Sequence, residues 1–530
     1  MSELTWHVNG LFGDDKVVKE GTVESLNGSI PIVCDLPEHT KLTDVRAELP
    51  IAVTDHEKIF MNGYQTWTYC PEYTRYDKIR GLHGVPKNII KQYSFDRYGD
   101  YHFVPYLNKA GILHGESWCY FRLGTKFRLY ASLDERPGYT LFTYDASLGY
   151  LYLKRDCTDV TVSGSFHAFD LFYAEGTEEE VFNAWFEAMK IKPRTSEKLK
   201  GYSSWYNRYQ KIDEASMKKD LEGCKSIFQP GDLFQIDDGF EPFVGDWLKP
   251  DEKKFPNGLK PIAEDIHNAG FKAGLWLAPF AAEEKSELFK NHPDWLLKVN
   301  GKPWKCGCNW TGFYALDIDN KEVQDYLTEV FHQVFDEWKF DLVKLDFLYA
   351  AAPFGTDTES RAGRMYRAME FLRKLCGDHP ILGCGVPVMP AFGLVEYCRI
   401  SCDVTLDYDD SMIMRRMHRE RSSTHQALGN IISRRELNQR AWISDPDVFF
   451  LRKKNCKLTA EQKQTLAETD ALLGGVFLTS DDPGAYTDSM KEQYKHFRHL
   501  TEATDVHVRD TDGGTVIQYH LDDEDHQLLI

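Results

Sequence analysis

From Gly201 onward the sequence alternates between short apolar strands and helical stretches, and this alternation narrows the possible folds more than any other feature. The strand candidates are YSSWY (202–206), DLFQID (232–237), KAGLWLA (272–278), LVKLDF (342–347), ILGCGV (381–386), CRISCD (398–403), AWISD (441–445) and GGVFLTS (474–480). Helical spacing lies between them, for example over 260–269, 321–338 and 360–376. Eight strand–helix repeats over roughly 280 residues predict a (β/α)8 TIM barrel. A doubly wound open sheet is the alternative, but no Gly-rich nucleotide turn follows the first strand.

The rest of the chain divides around that unit. A length of 530 residues exceeds one ordinary core, so a multidomain arrangement is expected. Residues 1–177 predict an N-terminal β-sandwich. Segments such as SWCYFRLGT, KFRLYASLD, YTLFTYDA and VTVSGSFHAFDLFYA are short, aromatic or β-branched, and bounded by turn residues. Residues 178–200 predict a helix with acids in its first turn, EEEVFNAWFEAMKI, and then a polar linker. The barrel takes 201–487. Residues 488–530 predict one more helix and a short antiparallel β element.

The formal net charge is −19, which disfavours nucleic acid and anionic membranes as partners. No apolar run approaches a membrane span, and the first residues lack a signal-peptide pattern. The twelve cysteines are scattered, with Cys384, Cys398 and Cys402 in candidate core strands. Reduced thiols in a cytoplasmic protein suit that pattern better than a disulfide framework. Cys306 and Cys308 form a lone CxC with no second ligand pair nearby, so no metal site is expected.

Chemistry in a barrel gathers at the C-terminal strand ends. Those ends carry Trp205 and Tyr206, Asp237-Asp238-Gly239, Trp276, Lys344 and Asp346, Cys384, Arg399 and Asp403, Ser444-Asp445-Pro446-Asp447, and Ser480-Asp481-Asp482. Such a rim suits a polyol: carboxylates accept from hydroxyls, cations donate, and indoles pack on the apolar face of a sugar. Lys344 and Asp346 are two apart, so on a strand both face one way. A cation and a carboxylate inside an apolar strand are costly unless paired or used. Each feature also has a plain structural reading. Lys344–Asp346 and Arg399–Asp403 suit ion pairs, Asp-Asp-Gly suits a turn, Trp276 suits core, and Asp445 suits a helix cap before Pro446. The aromatic loop NGYQTWTY (62–69), read by pattern alone, suits a domain interface better than a sugar site. The coincidence of acids at one barrel edge favours chemistry. Two carboxylates facing each other across the mouth are the equipment for glycoside cleavage.

These residues resemble bacterial α-galactosidases of glycoside hydrolase family 36, in the clan shared with family 27. The resemblance rests on NGYQTW (62–67), GYSSWYNRYQ (201–210), QIDDGF (235–240) with GDW (245–247), GLWLAP (274–279), VKLDF (343–347), LGCGVPVMPAFGLVEYCRISCDV (382–404) and SDPD (444–447), in that order. It implies a retaining mechanism with Asp346 as nucleophile and Asp403 as acid/base. It implies that Asp237 and Asp238 bind galactose hydroxyls, and that Lys344 and Arg399 hold ring hydroxyls beside the acids. Trp205 and Trp276 would line the pocket, Trp67 would reach over it, and Cys384 would lie near its floor. The implied substrate is a small oligosaccharide of raffinose or melibiose type, with no cofactor and no metal, and a homo-oligomer is possible. The chain departs from longer members in its GCGVP turn, where they carry a Gly-rich CSGG, and in its short C-terminal part. Two rival functions stay open at this point: an α-N-acetylgalactosaminidase with the same mechanism, and a non-catalytic sugar-binding protein.

Overall fold

The computed structural model describes residues 3–409, 411, 415, 419–511 and 513–530. An antiparallel sheet of eleven strands forms the first part of the chain. Its spine, Gly28–Pro50, pairs with Thr161–Gly176, Leu4–Phe12 and Tyr150–Arg155. Alternating burial along the spine puts Ile30, Ile32, Leu42, Val45, Ala47 and Leu49 inside. The sheet turns back on itself: Asn62 N–H donates to Trp118 O at 3.2 Å and Glu116 N–H donates to Asn62 O at 2.8 Å. Phe121, Phe142, Tyr144 and Phe169 fill the space it encloses. The stretch between Tyr73 and Ile112 is not sheet but irregular chain with one short α-helix, Lys87–Tyr93, and a single 3-10 turn, Phe95–Arg97.

The helix Glu178–Met189 follows, as its sequence predicts. Thr177 and Glu180 form a reciprocal capping box, and three glutamates sit in the first turn, where the helix dipole favours them. Val181, Phe182, Trp185 and Phe186 form its buried face, and Trp185 Nε1–H donates to Ser132 O of the sheet at 2.9 Å.

Nine short parallel strand segments then form one curled sheet that fits a TIM barrel. In chain order they are Leu199–Ser203, Leu233–Ile236, Lys272–Leu277, Leu342–Leu345, Ile381–Gly383, Tyr397–Arg399, Ile443–Asp445, Val448–Phe449 and Val476–Thr479. Ile443–Asp445 pairs with Tyr397–Arg399, whereas Val448–Phe449 pairs with Val476–Thr479. These two segments are one seventh strand, broken at Asp445-Pro446-Asp447, and the ring of pairings closes through it. Pro446 has no N–H to give a ladder, and Asp447 takes a φ of +93°, which a non-glycine residue adopts only when its surroundings hold it there.

Two strand boundaries differ from expectation. The first strand ends at Ser203, and Trp205–Arg208 is a single helical turn rather than strand. The serines divert the chain: Ser204 Oγ accepts from Asp237 N–H, and Tyr206 N–H donates to Ser480 Oγ, both at 2.9 Å. A Cβ at Gly201 would lie 2.1 Å from Leu233 O, so only glycine lets these strands approach. The sixth strand ends at Arg399; Ile400 N–H still bonds the seventh strand at Asp445 O, and beyond it Asp403 O accepts from Ser423 N–H. Asp445 caps no helix; its Oδ1 accepts from Asp447 N–H at 2.9 Å.

The helix Asp488–Leu500 precedes a three-stranded antiparallel sheet, Thr504–Thr511, Gly514–Leu521 and Glu524–Leu529. Val506, Val508, Tyr519, Leu521 and Leu528 pack on the main core, and Asp510 pairs with Arg122 of the first sheet. Among the described residues no helix is long and apolar enough to cross a membrane.

Candidate active site

A cavity of about 600 Å³ opens at the C-terminal ends of the barrel strands. That volume falls within the range of small-molecule sites, ~300–1,000 Å³. Eight of the ten residues expected at the site are within or around its lining: Trp67, Trp205, Asp237, Asp238, Trp276, Lys344, Asp346 and Asp403. Arg399 and Cys384 are absent from the lining; both are buried directly behind it.

Asp346 follows the fourth strand and is buried. Trp276 Nε1–H donates to its Oδ2 at 3.0 Å, and Phe347 N–H donates to its Oδ1 at 2.8 Å. Burial pushes its carboxyl up, and the charge of Asp403 adds to this, while Lys344 and the Trp276 hydrogen bond pull it down. Lys344 donates to Asp237 Oδ2 at 2.9 Å. Burial alone would weaken its ammonium, but Asp237, then Cys384 and Asp346, hold its proton on. Asp237 also accepts from Gln235 Nε2–H at 2.9 Å. Asp238 Oδ2 accepts from Trp310 Nε1–H at 2.9 Å and from Gln210 Nε2–H at 3.0 Å.

Across the cavity, Asp403 has a side chain 38% exposed, and its Oδ1 meets Arg399 Nη2 at 3.1 Å. The same Nη2 lies 3.2 Å from Asp447 Oδ2, and Arg399 Nε lies 3.9 Å from Asp445. One guanidinium, 1% exposed, thus serves three carboxylates. The expectation that Arg399 holds sugar hydroxyls meets this finding: its charge is turned towards the acids. Asp447 Oδ2 further accepts from Tyr206 O–H at 2.6 Å and Val404 N–H at 2.9 Å. Burial first, opposed by Arg399, leaves the Asp447 carboxyl pushed up to about 7.

The NGYQTW loop meets both readings made of it. It is an interface: Thr66 N–H donates to Val386 O at 3.0 Å, and Gln65 bridges to Pro387. It is also site wall. The Trp67 ring lines the cavity, packs edge-on against Phe347 at 5.1 Å between centroids, and points Nε1–H at Cys384 Sγ, 3.4 Å away. A Cβ at Gly385 would stand 2.8 Å from Trp67 Cζ2, and Gly385 has φ +55°, so the GCGVP turn needs glycine there twice over. Burial pushes the Cys384 thiol well up, and it stays protonated.

Three comparisons bear on what this cavity is. The melibiase family model matches residues 228–370. The α-galactosidase Mel36A of Lactobacillus acidophilus is 34% identical over 152 residues, 27% of this chain and 20% of that protein. An Escherichia coli α-galactosidase is 30% identical over 152 residues, 27% of this chain and 21% of that one. The matched segment thus spans about a fifth of the length of these curated relatives. The Thermus thermophilus α-galactosidase TtGalA, solved in complex with p-nitrophenyl α-D-galactopyranoside, superposes with a TM-score of 0.74 and 26% identity over 98% of both chains. Over nearly its whole length the chain is thus similar to a solved α-galactosidase. The family 36 α-galactosidase AgaA of Geobacillus stearothermophilus, at 14% identity, shares the fold, with a TM-score of 0.61 over 96% of this chain and 71% of that one.

Against that kinship, the sequence reading missed several lining residues: Tyr98, Gln210, Trp310, Asp447, Glu420 and Arg421. Gln210 ends GYSSWYNRYQ and Asp447 ends SDPD, so both carry a sequence signal. Trp310 sits in a loop between Lys305–Gly307 and Phe313–Ala315 with φ +58°, where no periodicity marks it. Glu420 and Arg421 follow the 410–418 stretch, most of which is outside the described residues. Among the described residues no cluster of three or more His, Cys, Asp or Glu side chains is arranged to hold a metal.

Proposed function

We propose that this chain is a retaining, exo-acting α-galactosidase that removes a terminal α-linked galactose from small oligosaccharides of raffinose or melibiose type. The observation that carries the reading is the joint presence of Asp346 and Asp403 on one cavity large enough for a terminal sugar and flanked by Asp237, Asp238 and four tryptophans. Asp346 attacks the anomeric carbon as the bond to the leaving oxygen breaks, and Asp403 gives that oxygen its proton. Asp403, now a base, takes a proton from water, which displaces Asp346 and releases galactose with its α configuration kept. Lys344 keeps the nucleophile ionised by charge, and the Trp276 N–H fixes one of its oxygens. Asp237 and Asp238 accept from sugar hydroxyls, and Trp67, Trp205 and Trp276 shape the apolar side. The same reading takes 1–177, 178–200, 201–487 and 488–530 as sandwich, helix with linker, catalytic barrel and terminal β element.

The deciding experiment follows product stereochemistry by NMR on aryl α-galactoside and aryl α-N-acetylgalactosaminide. Expected are rapid release of α-galactose and slow turnover of the acetamido substrate. Release of β-galactose, faster cleavage of the acetamido sugar, or binding of galactose without any turnover would refute the proposal.

Asp447 gives this reading a pH signature. Its proton comes off near neutrality, and below about 7 Arg399 Nη2 is left to Asp403 alone. Above that pH the two carboxylates share the cation, so the hold of Arg399 on Asp403 changes as Asp447 gives up its proton. Asp447→Asn is therefore expected to remove an inflection near neutral pH from the kcat/KM profile. It should slow poor leaving groups more than activated ones. An unchanged profile would refute the coupling.

A further inference from the structure

The reaction above makes no use of Glu241, a buried acid two residues past the Asp-Asp-Gly turn. Its Oε2 accepts from Gly239 N–H at 3.2 Å, and its carboxyl lies within hydrogen-bonding reach of the Asp238 carboxyl. Asp238 Oδ2 accepts from Trp310 Nε1–H and Gln210 Nε2–H. Asp238 Oδ1 is buried and receives no N–H or O–H donor as long as both acids are ionised. Two bare carboxylates in contact inside a protein repel strongly; one proton between them removes the repulsion and supplies the missing donor.

We propose that Glu241 is a positioning residue that stays protonated in the folded chain and donates its O–H to Asp238, so that Asp238 is held as an ionised acceptor for a sugar hydroxyl. This rests on the sugar-binding role proposed for Asp238. The charged groups on the surrounding elements leave Glu241 uncompensated. Lys344 is paired with Asp237 at 2.9 Å. Lys254 donates to the carbonyls of Gly239 at 2.6 Å and Gln210 at 3.0 Å. Asp246 accepts from the N–H groups of Glu287 and Leu288, and Glu283 accepts from Thr311. Burial, then the charge of Asp238 and the bond to it, push the Glu241 carboxyl well above the ordinary carboxylate range.

Linkage gives this proton a readout independent of catalysis. Below about pH 4 Glu241 is protonated folded or unfolded and costs nothing. Above that, the unfolded chain releases a proton that the folded chain keeps, so stability falls as pH rises until the folded value is reached. Glu241→Gln keeps an N–H donor for Asp238 but cannot ionise. Its thermal midpoint, relative to wild type, is expected to rise steadily between about pH 5 and about pH 8. In wild type, KM for an aryl α-galactoside should climb on the alkaline side about tenfold per pH unit once Glu241 ionises, with kcat less affected; Glu241→Gln should lack that climb. Glu241→Ala should raise KM about tenfold at every pH, since Asp238 is left unheld. A midpoint difference that is flat with pH, or an alkaline KM limb that survives in Glu241→Gln, would overturn the inference. If no aryl galactoside is turned over at all, the proposed function falls, while the thermal series still decides whether Glu241 holds its proton.

Discussion

Replacing Asp346 by alanine is expected to reduce turnover of an aryl α-galactoside on the order of 10⁴-fold or more, because covalent catalysis has no substitute at that position. Azide, small enough to enter the vacated space, should restore turnover and give β-galactosyl azide. Asp403→Ala should lose ~10²–10⁴-fold on leaving groups that need a proton and much less on activated ones. The two variants separate the roles. In Asp346→Ala the first bond-breaking step is lost whatever the leaving group. In Asp403→Ala a good leaving group departs unaided, so the covalent intermediate accumulates. Near-wild-type rates in either variant, or azide rescue with the configuration reversed between them, would sink the assignment.

The second large effect concerns Arg434, which is 1% exposed and whose hydrogen-bond partners among the described residues are carbonyl oxygens. Its guanidinium donates to Asn62 Oδ1 at 3.1 Å and to the carbonyls of Thr66 at 2.7 Å and of Ile400, Gly63 and Gln65 at 3.1 Å each. Five bonds from one side chain thus fix the loop that carries Trp67 to the barrel. Arg434→Ala would leave several buried carbonyls without a donor, at ~1–3 kcal/mol each before relaxation. We expect a net loss of about 3–5 kcal/mol, read as a lowered thermal midpoint, with KM rising as Trp67 loosens. Arg434→Lys should recover only part, since an ammonium cannot reproduce the planar fork. A midpoint unchanged in Arg434→Ala would show that the loop is held by its other contacts, such as Thr66 N–H to Val386 O.

Much of this site was legible because its parts ride on periodic elements. Lys344 and Asp346 stand out as charges in an apolar strand, and Asp237, Trp276 and Asp403 fall at strand ends, where a barrel exposes them. What stayed hidden depends on tertiary partners. Trp205 suits a strand by its aromatic neighbours; Ser204 just before it, bonded to Asp237 N–H, and Ser480 of the last strand, bonded to Tyr206 N–H, accompany a helical turn instead. Trp310 lies in a loop without pattern, and only the fold brings it 2.9 Å from Asp238. The sequence offers Arg399 as a sugar ligand, since spacing alone does not show that Asp403, Asp445 and Asp447 converge on one guanidinium. The choice between interface and site for Trp67 had no answer in sequence, because the loop does both.

The break in the seventh strand has one more consequence. Asp447 sits at the joint where the ring of strands closes, and its carboxylate also grips the backbone beside Asp403. Cohesion of the cylinder and placement of Asp403 are therefore vested in a single residue. A seventh strand that slipped along its neighbours would misdirect Asp403 in the same motion, leaving no half-open cylinder able to work.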